Sequence, residues 1–137
     1  ALDVVRSHPA CGVCLMHMHG DPQTMQVAPM EGDAVPQVLL FLEQSAQSLQ
    51  AQGVHKSRIV LDPGIGFGKT VTHNAELLGQ QALFHALGAP ILLGVSRKSF
   101  IGRLSRGEAP KQRVAGSIAA ALAGLERGVQ ILRVLTR

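Results

Sequence analysis

Four short apolar runs, Val13-Met18, Ile59-Leu61, Ile91-Val95 and Ile131-Leu135, alternate with segments of helical periodicity, and this alternation is what most constrains the fold. The runs are too short for helices and lack polar alternation, as expected of strands covered on both faces. Residues 34–51 place Val38, Phe41, Leu42, Ala46 and Leu49 on one helical face. Residues 75–87 do the same with Leu77, Leu78, Phe84 and Leu87, and residues 111–126 form a small-residue helix around Gly116-Ser117-Ile118-Ala119-Ala120-Ala121. Gly53, Gly88 and Gly128 fall just past these segments, where helices close with a residue of positive φ. Strand and helix in strict turn predict about four parallel βα units of the α/β class. The residues up to about Pro9 read as the end of an earlier helix. No linker or low-complexity tract divides the chain, so residues 1–137 are read as one unit.

The second run leads directly into Asp62-Pro63-Gly64-Ile65-Gly66-Phe67-Gly68-Lys69-Thr70. A carboxylate thus stands at the C-terminal tip of a strand, and a glycine-rich turn carries the chain into the next helix. In parallel sheets that tip is where ligands bind. Two nucleotide motifs come close and miss. A P-loop needs four residues between its first glycine and Gly-Lys-Thr, whereas three separate Gly64 from Gly68. The dinucleotide fingerprint needs a third glycine where Lys69 stands. Side-chain parity sharpens the picture. Asp62 shares a face with Val60, Arg133 with Ile131 and Leu135, and Lys98 with Ser96, Gly94 and Leu92 if that strand stays extended to its tip. Charges converging on one mouth are costly unless they pair or serve a ligand. The pattern therefore points to a polar binding site, with an Asp62 salt bridge to Lys98 or Arg133 as the structural alternative.

Composition narrows the partners. Trp and Tyr are absent, which removes the stacking platforms of single-strand nucleic-acid binders. The net charge of +4 comes from scattered Lys and Arg, densest at Arg97, Lys98, Arg103 and Arg106, and suits a small anionic substrate rather than nucleic acid. Cys11 and Cys14 form a C-x-x-C without a second ligand pair, and Cys14 lies within the apolar run Val13-Cys14-Leu15-Met16. Both are expected to be buried and inert, and free thiols without a leader fit a reducing cytoplasm. The apolar run Val114 to Leu125 is too short to span a bilayer. His17 and His19 form an H-x-H on a strand, a pattern that also serves metal-dependent barrel hydrolases. They share the face of Val13 and Leu15, however, and no carboxylate follows at ligand spacing. His73 and Asn74 are expected to cap or support the helix after the glycine turn.

Four segments taken in order resemble dihydropteroate synthase. Leu15-Met16-His17-Met18-His19-Gly20-Asp21-Pro22-Gln23-Thr24-Met25-Gln26 resembles the fifth strand and following loop of that family. Asp62 to Lys69 with His73-Asn74 resembles the sixth-strand motif, and Gly94-Val95-Ser96-Arg97-Lys98-Ser99-Phe100-Ile101-Gly102 the seventh. Arg113-Val114-Ala115-Gly116-Ser117 and Ile131-Leu132-Arg133-Val134 resemble the last helix–strand unit.

The resemblance implies a partial (β/α)₈ TIM barrel and condensation of p-aminobenzoate with 6-hydroxymethyl-7,8-dihydropterin pyrophosphate, releasing pyrophosphate. It implies Asp62 as acceptor for the pterin edge, Lys98 as donor to the ring, and Met16 and Phe67 as apolar pocket residues. Gly94 would leave room for the ring, Ser99 would lie at the aminobenzoate carboxylate and Arg133 on the pyrophosphate. Lys98 and Arg133 are the residues it marks as catalytic, and Arg97 is expected to support its loop. Magnesium is implied with its ligand outside this chain, and the full-length protein is expected to be a cytoplasmic homodimer. Such barrels run to roughly 250 residues, so the match corresponds to strands five to eight. Leu135 and Thr136 stand where the family has His-Asp. The rival expectation is an inactive truncated half-barrel, a non-catalytic fragment or one kept for association, and its unpaired strand edges would favour edge-to-edge pairing.

Overall fold

The computed structural model describes residues 1–23, 25 and 28–135. Thr24, Gln26 and Thr136 of the motifs above lie outside the described residues. In chain order the elements are α1 (Leu2–Ser7), β1 (Val13–Met16), α2 (Ala34–Ala51), a 3-10 turn (Lys56–Arg58), β2 (Ile59–Asp62), α3 (Val71–Gly79), a 3-10 segment (Gln81–Leu87), β3 (Leu92–Leu93), α4 (Ser99–Leu104), a 3-10 turn (Pro110–Gln112), α5 (Val114–Glu126) and β4 (Ile131–Leu132). β1 pairs parallel with β2, from Val13 opposite Ile59 to Met16 opposite Asp62. β3 pairs parallel with β4, and a parallel bridge from Leu61 to Ile91 joins the two pairs. The strand order is therefore β1-β2-β3-β4, each crossover carrying helix, as an open run of βα units requires. These are four units of a partial barrel.

The core lies between the strands and the helices. Ile59, Leu61, Ile91 and Leu93 project from one face of the strands onto Val38 and Leu42 of α2, Leu77 of α3, Phe84 and Val129, all of them buried. Each such side chain contributes roughly 1.5–3 kcal/mol on burial. Gly124 of α5 faces Leu93, and Gly116 faces Ile101, so closely that a methyl group at either position would overlap those side chains. The small-residue face of α5 thus packs on its own sheet and α4. Its opposite face, with Val114, Ile118, Leu122 and Leu125, is exposed. None of the described helices is long and apolar enough to cross a membrane.

Three expectations need correction. The segment 75–87 is not one helix. It starts earlier, because the Thr70 hydroxyl accepts the His73 N–H while the His73 ring accepts the Thr70 N–H, a reciprocal capping box. It also breaks at Gln80, after the weak helix former Gly79, before a 3-10 turn closed by Gly88 at φ 71°.

The third strand does not extend to Lys98. Regular pairing stops at Leu93, and the chain turns through Arg97 at φ 59°, with the Lys98 N–H donating to the Val95 carbonyl. This left-handed residue is held from α5: its N–H donates to the Ser117 hydroxyl (2.9 Å) and its carbonyl accepts from the Arg113 guanidinium (2.9 Å). Those two bonds offset the cost of a positive φ in a non-glycine residue.

Neither cysteine is buried; Cys11 and Cys14 are both exposed free thiols. Apolar neighbours in sequence misled here because parity decides: Cys14 lies on the Met16 face of β1, away from α2 and the core.

Candidate functional site

The strand register that buries Leu61 against the helices turns Asp62 to the opposite face, beside Met16 of β1. Asp62 is only 1% exposed. Its Oδ1 accepts the Gly64 N–H at 2.8 Å, and its Oδ2 has no hydrogen-bond partner. The guanidinium of Arg133, half-exposed, stands 3.6 Å from that oxygen. Burial raises the Asp62 pKa, opposed by the Gly64 N–H and then by the charges of Lys98, Arg133 and Lys69. The ion pair considered from sequence is present, yet it leaves one buried carboxylate oxygen with open acceptor capacity.

The glycine-rich turn beyond Asp62 needs its glycines for backbone reasons. Gly64, Gly66 and Gly68 all have positive φ, and a side chain at Gly64 would collide with the His17 carbonyl. The turn hands its Gly66 N–H to the buried Asn74 side chain at 2.7 Å, so Asn74 supports the loop from α3 as expected. Phe67 stands at the top of the turn. The Lys98 ammonium lies 4.6 Å from the Phe67 ring centroid and donates to the Ile65 carbonyl. Burial lowers the Lys98 pKa to about 8, with Asp62 opposing and Arg133 reinforcing the fall. Although Lys98 is not on a strand, it reaches the mouth from the N-cap of α4, because the Arg97 turn folds the chain back.

Gly94 completes the wall: a methyl group there would lie 2.6 Å from Arg133 Nη2, so the guanidinium depends on the missing side chain. Met16 is half-buried beside Asp62, while Ser99 is exposed in the first turn of α4 next to Lys98. Six of the seven residues singled out from sequence therefore lie at the C-terminal ends of the strands or in the loops that follow them, and the seventh, Ser99, opens α4. Asp62, Lys98, Arg133, Phe67 and Gly94 are drawn together by the contacts above. Met16 joins through strand register, and Ser99 only through chain adjacency.

The H-x-H histidines do not meet at this mouth. His17 is buried on the helix side, edge-on to Phe41 with 4.9 Å between ring centroids, and burial lowers its pKa to about 4. His19 is exposed. Among the described residues no three His, Cys, Asp or Glu side chains gather as a metal site. One carboxylate ringed by Lys69, Lys98 and Arg133 is also the wrong chemistry for magnesium, which takes an oxygen cage. The arrangement suits a flat molecule with paired N–H donors for Asp62 and an anionic group for the cations.

Sequence reasoning missed Lys69, which read as the tail of a nucleotide motif. It is 7% exposed, and its ammonium donates to the carbonyls of Gly64 (2.8 Å), Phe67 (3.0 Å) and His17 (3.5 Å). The signal available was a lysine closing a run of three alternate glycines, whose carbonyls need a donor once the turn is buried.

Residues 1–135 match the family described as Pterin binding enzyme. The chain is 47% identical over 123 residues to dihydropteroate synthase of Escherichia coli (strain K12), covering 89% of this chain and 43% of that protein. It is similar to the crystal structure of dihydropteroate synthase from Thermus thermophilus in complex with 6HMPPP, with a TM-score of 0.91, 43% identity, and coverage of 98% of this chain and 53% of that one. It is also similar to Xanthomonas albilineans dihydropteroate synthase with 4-aminobenzoic acid, with a TM-score of 0.89, 43% identity, and coverage of 97% and 46%. The chain spans about half the length of the curated relatives it matches.

Proposed function

The chain belongs to the pterin binding enzyme family, and we propose that it is the C-terminal portion of a dihydropteroate synthase, carrying strands five to eight of the barrel and the pterin-recognising part of its site. The observation that carries this reading is the Asp62 carboxylate, buried yet left with an unbonded oxygen at a mouth lined by Phe67, Lys98 and Arg133. A pterin presents side-by-side N–H donors on its aminopyrimidine edge. Asp62 accepts both, a two-point contact that fixes the plane of the ring. Lys98 donates to the ring nitrogen or carbonyl oxygen, Met16 and Phe67 cover the ring faces, and Gly94 keeps the floor flat.

The reaction joins the p-aminobenzoate nitrogen to the exocyclic methylene carbon. The carbon–oxygen bond to pyrophosphate breaks, the leaving group takes the electron pair, and the attacking amine releases its proton to solvent. Positive charge develops on the methylene as the leaving group departs. The site must therefore neutralise the leaving pyrophosphate and position the amine, and it has little need of a strong base. Arg133 supplies the neutralising charge, and Ser99 borders the place of the aminobenzoate carboxylate. Magnesium belongs to the complete enzyme in this reading and is held by residues other than these. The complete enzyme is a cytoplasmic homodimer that takes small-molecule substrates and neither nucleic acid nor membrane.

The test is calorimetric titration of the chain with 6-hydroxymethyl-7,8-dihydropterin pyrophosphate, alongside Asp62→Asn. The substitution turns one acceptor into a donor facing donors, so affinity is expected to fall at least about tenfold. Equal binding by both proteins would remove Asp62 from pterin recognition and overturn the reading.

A further inference from the structure

We infer that Lys69 is a positioning residue for pterin recognition: it touches no substrate and fixes the backbone from which Asp62 and Phe67 face the ligand. The inference rests on the function proposed above and concerns a residue which that function leaves unused. Burial lowers the Lys69 pKa to about 7, so near neutral pH the group is shared between an ammonium with three N–H donors and an amine with two. The three carbonyls within reach of Lys69 Nζ belong to His17, Gly64 and Phe67. Each lies directly behind a group at the mouth. His17 follows Met16, and its N–H donates to the Asp62 carbonyl at 3.0 Å. The Gly64 N–H donates to Asp62 Oδ1, so Gly64 is held through its N–H by Asp62 and through its carbonyl by Lys69. The Phe67 carbonyl is the other end of the residue whose ring meets Lys98.

The turn itself is soft. Its three glycines at positive φ have the most backbone freedom to lose on ordering. A single cross-brace at the back of such a turn selects one conformation and so fixes which way Asp62 Oδ2 and the Phe67 ring point. Preorganisation of that kind raises affinity without adding a contact. Lys69 itself is walled off from the mouth, since it is 7% exposed and its donors are taken by backbone.

The experiment compares the full chain with Lys69→Met, which keeps the length of the side chain and removes its donors, and with Lys69→Gln, which restores part of them. Three quantities are measured: the urea midpoint, amide hydrogen exchange at Gly64 and Phe67, and affinity for 6-hydroxymethyl-7,8-dihydropterin pyrophosphate. The expected result for Lys69→Met is faster exchange confined to the turn, a global midpoint close to the parent's, and a roughly ten- to hundredfold loss of affinity. Lys69→Gln should fall between the two, and it is the variant to read if Lys69→Met does not fold. Unchanged exchange at Gly64 and Phe67 would overturn the inference. So would an affinity that falls only in step with global stability, because that describes a structural residue. If the parent chain binds no pterin, recognition by this portion alone fails, and exchange at the turn still decides whether Lys69 sets its conformation.

Discussion

Acidification from pH 6.5 to 4 should destabilise this fold through one side chain, His17. Its ring is buried against Phe41, with the Nδ1 atom lacking a hydrogen-bond partner. Burial is the largest cause of its lowered pKa, followed by the charges of Lys69 and His19, and together they bring it from 6.5 to about 4. Between those values the unfolded chain binds a proton that the folded chain refuses. Stability therefore rises with pH across that window and is lost as pH falls through it. At about 1.36 kcal/mol per pH unit, the displacement from 6.5 to about 4 amounts to about 3 kcal/mol. The assay is urea unfolding at half-unit steps from pH 7 to 4, on the parent and on His17→Phe, which keeps a ring beside Phe41 and cannot titrate. Other groups also respond to acid. Asp62, with its raised pKa, acts in the opposite sense, and exposed Glu108, lowered by its Ser105 bond, acts in the same sense. Both are present in each protein and cancel in the difference. That difference should grow to about 3 kcal/mol by pH 4 in favour of the variant. Parallel stability curves would refute the reasoning, because they would mean that His17 takes up its proton equally in both states.

Two further perturbations probe the mouth and its support. Gly64→Ala should cost at least about 2 kcal/mol in urea unfolding, since it combines a left-handed backbone with a collision against a backbone carbonyl that has no rotamer to yield. A loss below about 0.5 kcal/mol would show that the turn adapts. Lys98, lowered to about 8 chiefly by burial, loses its charge as pH rises through that value. Affinity for 6-hydroxymethyl-7,8-dihydropterin pyrophosphate should therefore fall more steeply above pH 8 in the parent than in Lys98→Arg, whose guanidinium keeps its proton. Identical pH profiles would exclude Lys98 as the titrating group.

How far the sequence reached depends on the kind of information each feature carries. α2 was legible to its ends, because Ala34–Ala51 combines a clean apolar face with a following glycine, Gly53, at φ 91°. Asp62 was legible because strand parity fixes direction without knowledge of the partner strand, and Arg133, one residue past the end of β4 at Leu132, keeps that parity because its N–H still donates to the Leu93 carbonyl. Lys98 reached the right place by the wrong route: its strand ends at Leu93, and the Arg97 turn that delivers it is held by Ser117 and Arg113 some 16 to 20 residues away. Long-range hydrogen bonds of that sort leave no periodic trace. Cys14 failed for a related reason. A short apolar run says that a strand is present but not which of its faces meets the helices, and the neighbouring hydrophobes outvoted the parity argument that had worked for Asp62.

The parity of β2 has a consequence for how this protein can change over time. Ile59 and Leu61 serve the core, while Val60 and Asp62 serve the opposite face. Along one strand, alternate positions therefore answer to different demands. Substitutions at the odd-numbered set are penalised in fold stability, and those at the even-numbered set chiefly in recognition. Ligand preference is free to drift at one set while the scaffold is repaired at the other, with little interference between neighbours in sequence. The glycine turn is the exception, for there Gly64 answers to both demands at once, and it is the place where adaptation should be slowest.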